Sequence, residues 1–109
     1  MAYEYAWDQF LTAVFSLAES QDKLPGRVYT AFARGLIHIR DEDLPEELRE
    51  RFHLLQRQVN RTEGKDGRGI LAEPGQLMTA TEARKIIHEI VRLHTELTRL
   101  RGKNPGPEP

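Results

Sequence analysis

The sequence predicts an all-α protein, an antiparallel four-helix bundle with one long loop between its third and fourth helices. Three observations predict it. Apolar residues recur at three- and four-residue spacings in four separate stretches. Residues that start and stop helices flank those stretches. No stretch shows the two-residue alternation of a half-buried strand. The chain has 109 residues, the length of one domain. Residues 1–102 are expected to form it, with a Pro/Gly-rich tail over 103–109. A chain of this size buries roughly 65% of its unfolded surface, enough for one core without staples.

The first helix is expected from about Ala2 to Ser20. Tyr3, Trp7, Phe10, Val14 and Leu17 fall on one face of a 3.6-residue turn. Leu11, Phe15 and Ala18 widen that face, so the helix is expected to be covered on more than one side. Tyr5 lies opposite Tyr3 and Trp7 and is expected to stay exposed. The second helix is expected from about Leu24 to Ile39, with Asp22 as its cap and Pro25 in its first turn. Val28, Phe32, Gly35 and Ile39 make its stripe, with Leu36 beside it. Gly35 costs roughly 1 kcal/mol against alanine in mid-helix. Close approach of a neighbouring helix would account for it; a tolerated surface glycine is the alternative.

"RDEDLPEELRERF" marks the next boundary, because acidic residues and proline suit a first helical turn. The third helix is expected from about Pro45 to Asn60. Leu44, Leu48, Phe52, Leu55 and Val59 form its buried stripe, and Glu47 with Arg51 a solvent-side i,i+4 pair. Residues 61–77 carry four glycines and a proline, which rule out a continuous helix. Ile70 and Leu71 could pin this loop to the bundle. Thr79 and Glu82 read as a capping box for the fourth helix. That helix is expected to reach about Arg101, with Ala83, Ile86, Ile90, Leu93, Leu97 and Leu100 as its seam and Gly102 as its stop.

Composition narrows the function. With 39% hydrophobic and 30% charged residues the chain is globular rather than disordered. It has no cysteine, which excludes disulfide scaffolds, thiolate zinc sites and cysteine nucleophiles. The run "FLTAVFSLA" follows Glu4 and Asp8 rather than a basic leader, and is too short to span a bilayer. A cytoplasmic protein that does not engage membranes is therefore expected. The net charge is −1, but it is unevenly spread. The first 22 residues carry Glu4, Asp8, Glu19 and Asp22 and no Lys or Arg. Residues 84–103 carry Arg84, Lys85, Arg92, Arg99, Arg101 and Lys103 against Glu89 and Glu96. Either the two end segments attract one another, within the fold or across a dimer, or the basic strip binds a partner.

Metal and cofactor sites are not expected. His88 and His94 are six residues apart, so their rings diverge by about 120° around a helix. A zinc pair on one helix needs i,i+4 spacing. Glu50 and His53 make one Glu-x-x-His unit, and a di-iron bundle needs two. "GKDGRG" matches neither the phosphate-loop nor the dinucleotide fingerprint and reads as a solvated loop. Neither Ser16 nor Ser20 sits on a nucleophile elbow.

Three arginines stand four positions before a histidine: Arg34/His38, Arg49/His53 and Arg84/His88. In size, helical content and the pairing of an Arg with a following His, though not in their spacing, the chain resembles the HEPN ribonuclease families. In those families the gap between the two residues is longer than the three residues found here. The resemblance implies Arg and His groups that hold a scissile phosphate and stabilise its charge.

The leading expectation is a small interaction or assembly module without catalytic activity, self-associating as a homodimer that buries part of the first and fourth helices; another protein is the alternative partner. Tyr3, Tyr5, Trp7, Leu97 and Leu100 are its interface candidates, because amphipathic rings are enriched at interfaces. The alternative is nucleic-acid binding, or RNA cleavage of the HEPN kind, through Arg84, His88, Arg92, Arg99 and Arg101.

Overall fold

Four stretches of helix-forming periodicity become four α-helices in the computed structural model, which describes residues 3–61 and 78–103. Helix α1 is Glu4–Glu19, α2 is Leu24–Arg34, α3 is Glu46–Arg61 and α4 is Ala80–Lys103. Two 3-10 turns, Leu36–His38 and Asp41–Asp43, join α2 to α3, and there is no strand among the described residues. Helices α1, α2 and α4 pack on one another, and α3 packs on α4, so the fold is a helical bundle. Arg61, expected in the loop, ends α3, and α4 runs through Gly102, its expected stop, to Lys103; residues 62–77, with "GKDGRG" and the Ile70–Leu71 pair, and residues 104–109 of the expected tail lie outside the described residues.

One core runs through all four helices. Ala6, Phe10, Ala13 and Leu17 come from α1, and Val28 and Ala31 from α2. Leu48, Phe52, Leu55 and Val59 come from α3, and Ala83, Ile86, Ile90, Leu93 and Leu97 from α4. Each set follows the three- and four-residue spacing of its helix, so the stripe in the sequence becomes the buried face. Phe10 meets Phe52 edge to face at 5.8 Å between ring centroids, which joins α1 to α3.

The α1–α2 turn differs from expectation. Asp22 does not cap α2, whose N-cap is Lys23 with no side-chain cap bond. Instead the Asp22 N–H donates to the Ser20 hydroxyl at 3.0 Å, and the Asp22 carbonyl accepts from Arg27 Nε at 2.7 Å. A short polar side chain two residues back ties the turn locally, which leaves Asp22 out of capping geometry.

Helix α2 also ends earlier than its apolar stripe suggests. It stops at Arg34, and the stripe continues through a 3-10 turn. The change falls at Gly35. A Cβ there would stand 2.5 Å from the Gln9 carbonyl oxygen and 3.3 Å from the Ala13 nitrogen of α1. The backbones of the two elements therefore touch at Gly35, and the chain tightens past it. Leu36 and Ile39 stay buried, so the turn preserves the contact that the helix was expected to make.

The remaining helix ends are tied by side chains and buried residues. Asp43 accepts the Arg40 N–H at 2.8 Å, which closes the second 3-10 turn. Leu44 and Pro45 are buried ahead of α3, and Arg49 Nε donates to the Leu44 carbonyl at 3.1 Å. At the start of α4 the Thr79 hydroxyl accepts the Glu82 N–H at 3.0 Å, and the Glu82 carboxylate accepts the Thr79 N–H at 2.9 Å. The expected Glu47–Arg51 pair is replaced by a longer-range one. Arg51 Nε donates to Glu89 Oε2 of α4 at 3.0 Å, with both side chains about one-third exposed. A half-desolvated partner on another helix holds the guanidinium better than a solvated one on the same helix.

Candidate docking surface

Helix α4 turns its apolar seam inward, and the 3.6-residue period then fixes what faces out. Arg84, His88, Val91, Arg92, Thr95 and Arg99 are all exposed and fall within about 100° of one another around the axis. Arg99 is engaged by Glu96, and this hydrogen bond holds the Glu96 carboxyl below its usual range. Arg84, Lys85 and Arg92 form no ion pair with any described residue. With Thr81, His88 and Glu89 they line a shallow groove of about 380 Å³. Glu89 is already neutralised by Arg51. The groove is therefore electropositive. Arg101 lies in the last turn of α4, and its side chain is outside the described residues.

Helix α1 presents the opposite character. Tyr5, Asp8, Thr12, Phe15 and Glu19 are exposed and share an outward stripe. Tyr5 is 47% and Phe15 57% exposed. This corrects the expectation that Phe15 and Ala18 widen a covered face: both are exposed, and nothing in the described chain covers Phe15. The wheel carried the signal. Phe15 stands about 80° from Tyr5 and about 140° from Phe10, beside Asp8, Thr12 and Glu19.

The other interface candidates lie on the inner side. Leu97 is fully buried in the core. Tyr3, Trp7 and Leu100 are half-buried and pack against the core of their own chain. Trp7 joins α1 to α4, because its indole N–H donates to the Thr98 hydroxyl at 2.8 Å. Its ring also lies 5.4 Å from that of His94. Of the five residues, Tyr5 is the most open to solvent.

His94 Nε2 is enclosed and has no hydrogen-bond partner. Burial pushes the imidazole pKa below 6.5. The unfolded chain then takes up this proton at a higher pH than the folded one. Unfolding binds protons, so stability rises with pH across this window. The contribution is complete above about pH 6.5 and falls as pH drops toward the folded value. Thermal melts should show a lower Tm near pH 5.5 than near pH 7.5. His94→Phe keeps a ring against Trp7 and should narrow that difference; an unchanged difference would remove His94 as its source.

The three Arg–His pairs sit on different elements. Arg34 ends α2 and lines a groove of about 370 Å³ with Ser16, Glu19, Ser20, Asp22 and Thr30, while His38 lies in the 3-10 turn beyond. Arg49 is spent on the Leu44 carbonyl, and His53 Nε2 lies 2.6 Å from Asp41 Oδ1. Arg84 and His88 line the same groove. No group of three or more His, Asp or Glu side chains among the described residues is placed to hold a metal ion. No helix among them is long and apolar enough to cross a membrane. Comparison with protein-family models, curated proteins and solved structures finds no match.

Proposed function

We propose that the chain is a small cytoplasmic interaction module that self-associates without performing catalysis. One observation carries the reading: two aromatic side chains, Tyr5 and Phe15, stand exposed on one stripe of α1, while Ala6, Phe10, Ala13 and Leu17 on its opposite side fill the core of the same chain. Large exposed rings flanked by polar residues favour a protein partner over water. Single exposed apolar residues elsewhere, such as Ile37 and Leu54, need no such account.

Size-exclusion chromatography with light scattering at high micromolar concentration tests it. The native chain should run as a dimer. Tyr5→Ser with Phe15→Ser should run as a monomer with an unchanged helical spectrum, since neither side chain is part of the core. A native chain that stays strictly monomeric at that concentration would sink the reading.

A further inference from the structure

We infer that the surface which covers the α1 stripe is the basic strip of a second copy, so that α1 of each protomer docks on α4 of the other. The inference rests on self-association and commits it to one pairing. Three pairings of the two exposed stripes between copies are conceivable. Two α1 stripes would set Asp8 and Glu19 against carboxylates of the same sign. Two α4 strips would set Arg84 and Arg92 against guanidinium groups. Only the cross pairing brings opposite charges together, and like-charge juxtaposition is what suppresses the wrong complexes.

The pairing cannot be made within one chain. Helices α1 and α4 already meet through Trp7, His94 and Thr98, and Asp8 and Glu19 stand about 100–120° around α1 from Trp7. The chemistry of the two stripes also matches beyond net charge. Guanidinium groups stack on aromatic faces, which Tyr5 and Phe15 offer. They also take carboxylates in charge-assisted, bidentate hydrogen bonds, which Asp8 and Glu19 offer.

The spacing is compatible. Asp8 and Glu19 are eleven residues apart, about 16 Å along α1. Arg84 and Arg92 are eight apart, about 12 Å along α4, and the arginine stem covers the difference. A twofold axis makes the contact twice and closes the pair as a dimer.

The experiment is a charge exchange followed by analytical ultracentrifugation. The variant R84E/R92E should associate at least tenfold more weakly than the native chain, and so should D8R/E19R. A one-to-one mixture of the two should form heterodimers, because each acidic stripe then meets a basic one. The quadruple variant should dimerise on its own. All four side chains are exposed, so the helical spectrum should not change. Variants that dimerise as well as the native chain overturn this pairing and leave self-association standing. A monomeric native chain removes both. A native chain that binds single-stranded RNA in a steeply salt-dependent way, lost in R84E/R92E, with no dimer, overturns the pairing in favour of a polyanion on the strip.

Discussion

Replacing Phe52 with alanine is expected to lower the unfolding free energy by about 3–5 kcal/mol. The ring is 1% exposed and meets Phe10, which is fully enclosed, edge to face. Truncation removes the burial of the ring, the aromatic contact and the support it gives to the helices around it. Domains of this size have about 5–15 kcal/mol in total, so the variant should stand close to unfolding at room temperature. Urea denaturation followed by circular dichroism measures it. Phe52→Leu, which keeps most of the volume, should lose much less. A loss under about 1 kcal/mol for the alanine variant would mean that α3 does not depend on this contact.

The second large effect is expected at Gly35. In most compatible positions glycine to alanine stabilises by about 0.4–1 kcal/mol, because the unfolded chain loses freedom. Here φ is −134°, outside the left-handed region that favours glycine. The new methyl would instead stand 2.5 Å from the Gln9 carbonyl oxygen, and a backbone atom cannot swing aside. Gly35→Ala is expected to destabilise by about 1–3 kcal/mol, in the range of an overpacked core. Each kcal/mol lowers Tm by roughly 4–8 °C in a domain this small, so differential scanning calorimetry resolves the change. A variant more stable than the native chain would show that α1 and α2 can part without cost.

The helices were legible in the sequence because their stripes are long and regular. Leu48, Phe52, Leu55 and Val59 are separated by the intervals a buried helix face requires, and all four are buried. The end of α2 was not legible, because a 3-10 turn keeps Leu36 and Ile39 in the same contact that a helix would. The close approach of the Gln9 backbone at this point comes from the fold and not from the local sequence. The partner of Arg51 was hidden for a similar reason: a local spacing rule offers Glu47, and the packing of α3 on α4 supplies Glu89.

The docking surface was half legible. The α4 strip could be read as charge, residue by residue, from the period of the helix. On α1 the wheel set Phe15 beside Asp8, Thr12 and Glu19, but the apolar band of Leu11, Phe15 and Ala18 masked that signal, because periodicity alone does not say how far neighbouring helices reach. Tyr3, Trp7 and Leu97 fit an interface by residue type. The fold uses them on the inside, because aromatic and aliphatic groups serve a core and an interface equally well.

The position of Trp7 has an optical consequence. It is the one tryptophan in the chain, and it lies where the first helix meets the last, against an imidazole and a threonine hydroxyl. Ultraviolet emission from this molecule is therefore a local gauge of that joint. A red shift would signal water entering between α1 and α4.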